Sequence, residues 1–574
     1  MSLQPVYDIA EICARQGITH AVISPGSRNA AITLAFTRHK DIKTFVIPDE
    51  RSAGFIALGL ALQLGAPVAI VCTSGTAAFN LAPAVAEAFF QQVPLLVLTA
   101  DRPPEWIGQQ DGQAIFQRNI FGPHVKQAYE LPVSRIHPDE IWHINRLVNQ
   151  AILLARALPR GPVHLNVPFR EPFYPASATE KTTYTNQVRI IREVPSAGTM
   201  TKEEATALAY ELRSFHRIVL VAGQMPRDES LLSAVQNLPE KLVVLADITA
   251  NLNDLKTVFV QYDMALAHAP EAWKEDLQPD LLITFGNHIL SKHLKLYLRK
   301  HRPAGHWHVQ PQGDVPDVFQ SLTRIIRCTP ASFCQWLSTA TVSEHQTRYA
   351  AKWRRLSNLT AAGIESFLNI PASSELHLTR ALLQNLPAHS HLHLANSMSV
   401  RYAAMMIQPA RHVVVHSNRG TSGIDGCTST AVGHSLAHSA LHVLLTGDLA
   451  FFYDRNAFWH NYPLPNLRIA VLNNHGGLIF KLIDGPAHLP EADEYFVTQQ
   501  QLTAKHLCAE FGFEYIPVRK PADIPAGINK LLAPGPTAKI LELESRVSDN
   551  VSIFESLKHH IRQTYATQIS LAAH

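Results

Sequence analysis

Short apolar runs alternate with stretches of helical spacing along the first 170 residues. Five runs rich in β-branched residues or leucine end in turn residues: HAVISPGS, TFVIPDE, PVAIVCTSG, PLLVLTADRPP and GPVHLNVP. Between them lie helix-spaced stretches such as ERSAGFIALGLALQLG and TAAFNLAPAVAEAFFQQ. Nearly continuous apolar strands that alternate with helices are typical of a parallel sheet covered on both faces. The pattern predicts an α/β segment of this kind.

The same rhythm returns twice further along the chain. A second segment holds the runs HRIVLVAGQMP, KLVVLADIT, PDLLITFGN and GHWHVQP, and a third holds HLHLANS, RHVVVHSN, LHVLLTGD, LRIAVLNN and AKILELES. The stretch 171–200 lacks the rhythm and is interpreted as a linker, and a polar helical stretch near 345–370 precedes the third segment. We therefore predict three consecutive Rossmann-like α/β domains with parallel sheets, over residues 1–185, 195–345 and 370–574.

Length and composition fit several domains in a reducing compartment. The chain has 574 residues, and single cores stop growing near roughly 250–300 residues. Its 50 Lys and Arg against 47 Asp and Glu give a net charge of +3, which indicates no nucleic-acid partner. Six cysteines without a C-x-x-C pair favour a cytoplasmic protein without disulfides. We expect neither a signal peptide nor a membrane span, since Asp8 and Glu11 lie near the start and no apolar run approaches roughly 18 residues.

Candidate chemistry follows the strands, because ligands of open parallel sheets bind beyond the carboxyl ends of the strands. In the first segment these positions are SPGSR (24–28), Asp49-Glu50, TSGT (73–76) and DRPP (101–104). In the third segment they are Asn396-Ser397, SNRG (417–420), Gly447-Asp448 and NNHGG (473–477). The strand ends of the second segment carry little obvious chemistry. We expect the first and third segments to form the site.

Two strand ends of the third segment offer oxygen ligands for a metal ion. Asp448 follows one strand, and Asn473-Asn474 with two glycines follows the next. Such oxygens suit Mg²⁺, which normally takes one or two carboxylates together with phosphate oxygens and water. A glycine-rich turn at a helix start would favour a diphosphate group. A lone Gly-Asp pair is most often only a turn, but the Gly-Asp-…-Asn-Asn pattern resembles the signature of thiamine-diphosphate enzymes.

Glu50 opens an Ala/Gly-rich helix that resembles the cofactor-activating glutamate helix of the same superfamily. A carboxyl group hydrogen-bonded to the aminopyrimidine of thiamine diphosphate stabilises the imino tautomer that removes the C2 proton. Burial suits that role because it favours the neutral, proton-sharing form of the carboxyl. The alternative is a helix N-terminal carboxylate favoured by the macrodipole. The presence of both motifs favours the cofactor role.

Four arginines fall on or near the predicted ligand loops: Arg28, Arg102, Arg401 and Arg419. A guanidinium group binds a carboxylate with two parallel hydrogen bonds. A single arginine would more often form a structural ion pair, but four at one site predict a substrate with several negative charges.

Six stretches together resemble one branch of the thiamine-diphosphate enzymes, the synthase family of menaquinone biosynthesis. They are SPGSR (24–28), TSGTA (73–77), DRPPE (101–105), SNRGTSGIDG (417–426), GDLAFFYD (447–454) and NNHGGLIF (473–480). They lie toward both ends of the chain, so the resemblance covers essentially all of it. It implies a transferase that decarboxylates 2-oxoglutarate and adds the resulting succinic semialdehyde carbanion in 1,4 fashion to isochorismate. Both substrates are dicarboxylates, as the arginines predict.

The resemblance implies a role for each matching residue. Glu50 would activate the cofactor, and Asp448, Asn474 and the Gly476 carbonyl would bind Mg²⁺ or Mn²⁺. The other implied cofactor contacts are Gly75, Thr76, Ile424, Gly447, Ile479 and Phe480. The implied substrate contacts are Ser27, Arg28, Arg102, Gln113, Lys292, Ser397, Arg401 and Arg419. Of these, Arg28, Gln113, Arg401 and Arg419 would also act in catalysis. His475 and His293 depart from the family pattern and are assigned no role.

Other functions stay open at this point. A relative of acetolactate synthase or of the 2-oxo-acid decarboxylases would use the same cofactor on smaller, less charged substrates. Loss of Glu50 or Asp448 would mark a non-catalytic ligand-binding homologue, and both are present. A serine hydrolase is disfavoured because GHSLAH (433–438) lacks the G-x-S-x-G elbow. The resemblance also implies a homodimer or homotetramer whose sites lie where the first segment of one chain meets the third of another.

Overall fold

The computed structural model describes residues 3–171, 174, 184, 188–194, 200–341, 343–406, 412–483 and 485–573. Most of the predicted linker 171–200 therefore lies outside the described residues. Within them, the chain forms three parallel six-stranded sheets, each interleaved with helices, which confirms the predicted α/β fold. The limits of the three predicted domains stay a prediction. No helix in the described ranges is both long enough and apolar enough to cross a bilayer.

The first sheet has the strand order β2-β1-β3-β4-β6-β5. Its strands are β1 (His20–Ile23), β2 (Lys43–Val46), β3 (Val68–Cys72), β4 (Leu95–Asp101), β5 (Ala128–Glu130) and β6 (Val163–Pro168). Its helices are α1 (Gln4–Arg15), α2 (Ala30–Thr37), α3 (Glu50–Leu64), α4 (Thr76–Asn80), α5 (Ala82–Gln91) and α6 (Pro138–Arg156). The central strands β3, β4 and β6 are buried along their whole length, as their nearly continuous apolar runs predict.

The middle sheet has the order β12-β11-β10-β7-β8-β9. Its strands are β7 (Ile218–Ala222), β8 (Val243–Ala246), β9 (Val258–Phe259), β10 (Leu281–Phe285), β11 (Gly305–Val309) and β12 (Arg324–Ile326). The helices of this segment are α7 (Lys202–Leu212), α8 (Glu229–Gln236), α9 (Tyr262–His268), α10 (Glu271–Asp276), α11 (Lys292–Lys300), α12 (Pro330–Thr339) and α13 (His345–Leu368). The long helix α13 corresponds to the polar helical stretch predicted near 345–370.

The third sheet has the order β14-β13-β15-β16-β18-β17, the same topology as the first. Its strands are β13 (His391–Leu394), β14 (Val414–His416), β15 (His442–Gly447), β16 (Leu467–Asn473), β17 (Glu514–Val518) and β18 (Lys539–Glu544). Its helices are α14 (Glu375–Asn385), α15 (Met398–Met405), α16 (Cys427–Ala437), α17 (Asp448–Tyr453), α18 (Ile479–Leu482), α19 (Ala504–Phe511), α20 (Asp523–Leu532) and α21 (Val547–Ala573).

The first and third segments share one hydrophobic core. Val22, Phe45 and Ile70 of the first sheet belong to the same buried cluster as Leu444 and Ile469 of the third. Helices α3 and α16 pack directly against each other in this core. Their backbones approach closely at two glycines.

The glycines are Gly59 of α3 and Gly433 of α16. A Cβ atom on Gly59 would overlap the carbonyl oxygen of Thr430, and one on Gly433 would overlap that of Ile56. The helix that begins at Glu50 is therefore held against the third segment by contacts that only glycine permits.

Candidate functional site

Glu50 occupies the first turn of α3, where the chain leaves β2. Asp49 caps the helix, since its Oδ1 accepts hydrogen bonds from the N–H groups of Arg51 (2.9 Å) and Ser52 (3.3 Å). Glu50 is partly buried. Burial raises the pKa of its carboxyl. A hydrogen bond from its own backbone N–H lowers this pKa, and the charge of Asp49 raises it. The structure thus favours a proton on Glu50 more than water would.

Glu50 lines a cleft of about 510 Å³ at the carboxyl ends of β1 and β3. Four other predicted site residues line the same cleft: Ser27, Gly75, Thr76 and Gln113. The rest of the lining consists of Pro25, Gly26, Thr73, Ser74, Ala77, Asn80, Ala114 and Ile115. We call this space the N-terminal cleft. Its lining residues all fall within 25–115, so the third segment does not contribute to its walls.

The loops around the N-terminal cleft are fixed by glycine and by Gln117. Gly75 has a φ of +87°, which L side chains rarely adopt. The N–H of Gly75 donates to Gln117 Oε1 at 2.8 Å, and Gln117 Nε2 donates to the Ala100 carbonyl and to Asn166 Oδ1. No pattern in the sequence singles out Gln117, because it follows no predicted strand. It positions the loop that carries Gly75 and Thr76.

Arg28 and Arg102 lie beside the N-terminal cleft. Arg102 donates to Ser74 Oγ at 3.1 Å, to Asp111 Oδ2 at 2.7 Å and to the Gly112 carbonyl. Arg28 is buried and donates to the Phe169 carbonyl at 3.2 Å. Burial lowers the pKa of Arg28, and the charge of Arg102 lowers it further. The carboxylates of Asp111 and Glu171 raise the pKa of Arg28, and the two close guanidinium groups can bind a further anion.

Asp448 is buried at the start of α17, directly after β15. Its Oδ2 accepts a hydrogen bond from Gln500 Nε2 at 2.7 Å. Burial raises the pKa of Asp448 to about 6, whereas Gln500 and the N–H groups of Leu449 and Gly476 lower it. Asp448 and the Gly476 loop therefore lie together, as the strand-end pattern predicts.

Asn474 completes an oxygen site with Asp448. Its Nδ2 donates to Glu375 Oε1 at 2.5 Å, and its Oδ1 is buried without a hydrogen-bond partner. Burial raises the pKa of Glu375 to about 8, and the charge of Asp448 raises it as well. A buried oxygen without a donor is costly unless a ligand satisfies it. The donor set of Asp448, Asn474 and the adjoining backbone fits a hard cation such as Mg²⁺.

The glycine at position 476 is required by a neighbouring segment. A Cβ on Gly476 would lie 2.7 Å from Val497 Cγ1, and Gly477 N–H donates to the Val497 carbonyl at 2.6 Å. The Gln500 N–H donates to the His475 carbonyl at 3.1 Å. Residues 497–500 thus cover the loop 474–477 and supply Gln500, which the sequence did not identify because it follows no strand.

The apolar residues predicted to contact the cofactor lie in the third segment. Ile424 is partly buried and packs against a small cluster of Ala395, Cys427 and Ala450. Ile479 and Phe480 are partly buried in the short helix α18, directly after the Gly476-Gly477 loop. Gly447 precedes α17, and a Cβ there would meet no atom within 4 Å.

Arg401 and Arg419 form a second cationic pair, in the third segment. Arg401 donates to the Ser397 carbonyl at 2.5 Å, and Arg419 donates to Asn396 Oδ1 at 2.6 Å. Burial lowers the pKa of Arg419, and the charge of Arg401 lowers it further. The four predicted arginines are therefore sorted into two pairs, one beside the N-terminal cleft and one on the third segment.

Glu87 of α5 holds the loop that carries Arg419. Its carboxylate accepts from the N–H groups of Gly420 (2.7 Å) and Thr421 (2.6 Å) and from Thr421 Oγ1 (2.7 Å). Burial raises the pKa of Glu87, whereas these hydrogen bonds lower it. In the sequence, Glu87 looks like an ordinary polar position of an amphipathic helix, so no signal marks it.

The middle segment places a positive charge near Arg401 and Arg419, although its strand ends carry little obvious chemistry. Lys295 of α11 is partly buried. Burial lowers its pKa, Asp247 after β8 raises it, and the charges of Arg419 and Arg401 lower it. The predicted residue Lys292 is exposed in the first turn of the same helix. The structure therefore adds Lys295 to the candidate cations.

Two known protein families match parts of this chain. The family described as "Thiamine pyrophosphate enzyme, N-terminal TPP binding domain" matches residues 7–124, and that described as "Middle domain of thiamine pyrophosphate" matches 183–394. The first match contains Glu50 and the whole lining of the N-terminal cleft.

Curated relatives match nearly the full chain and have the same name, 2-succinyl-5-enolpyruvyl-6-hydroxy-3-cyclohexene-1-carboxylate synthase. The relative from Cytophaga hutchinsonii is 43% identical over 98% of this chain and 100% of its own length. Those from Phocaeicola vulgatus and Desulfotalea psychrophila are 37% and 38% identical, over 92% and 89% of this chain and 93% of their own lengths.

Proposed function

The chain belongs to the family of 2-succinyl-5-enolpyruvyl-6-hydroxy-3-cyclohexene-1-carboxylate synthases, which are thiamine-diphosphate-dependent enzymes, and on that premise we propose its substrates and site residues. It decarboxylates 2-oxoglutarate and transfers the remaining four-carbon unit to isochorismate by 1,4-addition. The observation that carries this proposal is the pairing of four buried or partly buried arginines, Arg28 with Arg102 and Arg401 with Arg419. Two such pairs match two dicarboxylates better than the small substrates of acetolactate synthases or simple decarboxylases.

Two regions of the chain suit the two ends of the cofactor. Bound thiamine diphosphate would supply the electron sink that decarboxylation requires. Glu50 would hold a proton on its carboxyl at the pyrimidine end, in the N-terminal cleft with Gly75 and Thr76. Gly447 and Ile424 would contact the cofactor from the third segment, and Ile479 and Phe480 would exclude water from the reacting atoms.

The diphosphate end would be held through a divalent cation, Mg²⁺ or Mn²⁺. Asp448, Asn474 and the Gly476 carbonyl would be its protein ligands. The unpartnered, buried Asn474 Oδ1 supports this role, because an oxygen without a donor is available to a cation. Gln500 and Glu375 would orient the two ligand side chains through the hydrogen bonds already present.

The remaining residues would hold the substrates. Ser27 and Gln113 line the N-terminal cleft, next to Arg28 and Arg102. On the third segment, Ser397 contacts Arg401 and its neighbour Asn396 contacts Arg419. Lys295 adds a further charge from the middle segment. Lys292 stays a candidate at the exposed start of α11.

We further propose a cytoplasmic homodimer or homotetramer. The N-terminal cleft and the oxygen site lie in different segments, so a two-fold dimer that joins the cleft of one chain to the oxygen site of its partner would complete two sites. All six cysteines are buried thiols, as a reducing compartment favours.

The proposed activity is tested by incubating the protein with thiamine diphosphate, Mg²⁺, 2-oxoglutarate and isochorismate. We expect isochorismate absorbance to fall. The amount of CO₂ released should equal the amount of isochorismate consumed. Parallel reactions with pyruvate in place of 2-oxoglutarate serve as the control. Faster CO₂ release from pyruvate, or CO₂ release without isochorismate consumption, would favour a decarboxylase or an acetolactate synthase instead.

A further inference from the structure

A cluster of histidines lies at the amino end of the third sheet, opposite the strand ends that carry Asp448 and Asn474. His391 begins β13 and His442 begins β15, and the two residues are direct partners in the parallel pairing. His438 follows the last turn of α16 and reaches the same point. Their ligand nitrogens all lie within 4.8 Å of one another. We propose that His391, His438 and His442 bind one divalent transition-metal ion, such as Zn²⁺, apart from the cofactor metal.

Two of the three rings already have the supporting contacts that metal-bound histidines show. His391 Nδ1 lies 2.9 Å from His416 Nε2, and His442 Nδ1 lies 3.1 Å from His393 Nε2. A metal-ligating histidine almost always donates its second ring N–H to an acceptor, which fixes its tautomer and orientation. If Nδ1 of each ring donates to the outer histidine, Nε2 carries the lone pair that a metal needs.

The second nitrogen of His442 has no other use in the fold. His442 is fully buried, and its Nε2 has no hydrogen-bond partner. A neutral imidazole with a free ring nitrogen is the form that binds metals.

His438 gives the site access to solvent. Its side chain is exposed, its ring centroid lies 5.3 Å from that of His391 and 6.3 Å from that of His442, and its Nδ1 accepts a hydrogen bond from the Ala440 N–H at 3.3 Å. An exposed ring held by a single long hydrogen bond can turn to present either nitrogen. A metal would draw the three nitrogens to about 2.0–2.1 Å from itself and leave a fourth position for water.

The ligand chemistry selects the class of ion. Imidazole nitrogens suit Zn²⁺, Co²⁺, Ni²⁺ and Cu²⁺, whereas Mg²⁺ and Mn²⁺ prefer oxygen ligands. The ion would tie the C-terminal end of α16 to β13 and β15. Because α16 packs on α3, which begins at Glu50, the site would stabilise the junction of the first and third segments rather than take part in catalysis.

The test uses the full chain, stripped of metal with a chelator and held in excess Mg²⁺ without thiamine diphosphate. Calorimetric titration with Zn²⁺ should give one site per chain that Mg²⁺ does not compete for. Titration with Co²⁺ should give the visible absorption of a tetrahedral site. His438→Ala should weaken Zn²⁺ binding by more than the 10–100-fold typical for loss of an outer-shell partner.

The controls separate this site from others on the chain. His438 is exposed, so its variant is expected to fold, which circular dichroism checks. His506→Ala removes another exposed histidine, on α19, and should leave Zn²⁺ affinity unchanged. Asp448→Ala should also leave it unchanged. No Zn²⁺ binding by the wild-type chain, unchanged affinity in His438→Ala, or loss of the site in Asp448→Ala would each overturn the proposal.

Discussion

At the scale of single residues, Glu50 combines partial burial with a fixed backbone position. Asp49 caps the helix and thereby fixes where α3 begins, and burial raises the pKa of the Glu50 carboxyl. A carboxyl that shares a proton with a ring nitrogen needs both properties, because its donor geometry and its protonation must be set before the ligand arrives.

We expect Glu50→Gln to leave folding intact and to remove most turnover, because an amide cannot share the proton with the pyrimidine ring. Hydrogen–deuterium exchange at C2 of bound thiamine diphosphate measures the affected step directly. Glu229→Gln is the matched control, since Glu229 is also the first residue of a helix, α8. Exchange at the wild-type rate in folded Glu50→Gln protein would show that Glu50 is only a helix-terminal carboxylate.

The paired arginines support a second prediction at this scale. Replacing Arg28, Arg102, Arg401 or Arg419 with Met should lower kcat/KM for at least one dicarboxylate by roughly 1.5–3 kcal/mol of transition-state stabilisation, the scale of a charged hydrogen bond. Steady-state kinetics with each substrate varied in turn measures the loss, and cofactor affinity should change little. Arg160→Met, at an exposed position, is the control. Wild-type kinetics in all four variants would contradict the dicarboxylate assignment.

At the scale of elements, the contact between α3 and α16 decides how the Glu50 helix is placed. Gly59 and Gly433 let the two helix backbones touch where any side chain would overlap a carbonyl oxygen. The neighbouring atoms are backbone in well-packed helices, so they cannot move aside at low cost.

Gly59→Ala should therefore destabilise the protein by about 1–3 kcal/mol, the usual cost of overpacking a core, despite the gain in helix propensity. Urea unfolding measures the effect, and activity should fall because the start of α3 shifts. Gly363→Ala in α13 is the matched control, since the nearest atom to its Cβ would be the Thr564 hydroxyl oxygen at 3.3 Å, with atoms of Ile561 at 3.6 Å and 3.8 Å. Equal stability of the two variants would show that the helices can separate without cost.

At the scale of the whole molecule, the proposed function requires the N-terminal cleft and the oxygen site to bind one cofactor. The cleft is lined by residues 25–115 and the oxygen site is built from Asp448, Asn474 and their neighbours. A dimer in which these surfaces face each other would complete both sites by a two-fold rotation.

A subunit-mixing experiment tests this arrangement. Glu50→Gln and Asp448→Ala variants, each inactive alone, are allowed to exchange subunits in equal amounts. If sites are shared, each heterodimer has one doubly altered site and one intact site. Random exchange then restores roughly a quarter of wild-type activity, provided that the two-fold sites act independently. No recovered activity, with exchange confirmed by mass spectrometry, would place each site within one chain.

The sequence predicted the central strands well and the edge strands poorly. All 14 predicted runs correspond to strands, whereas the four that were missed, β5, β9, β12 and β17, all lie at sheet edges. An edge strand is paired on one side only and is short or partly exposed, so it lacks the apolar run that marks a buried strand. The apolar pattern of a sequence indicates which strands are buried, so strand prediction from this pattern fails where a strand is only partly buried.

The residues of the candidate site also fall into two groups, those that the sequence identified and those that only the structure revealed. The sequence by itself identified candidate residues that follow strands, Glu50, Asp448 and Asn474 among them, because the parallel fold brings strand ends to one edge. Only the tertiary structure revealed Gln117, Glu87, Glu375, Gln500 and Lys295. They act through contacts between residues up to 334 positions apart in the chain. Such contacts leave no local pattern, since they depend on how separate segments pack.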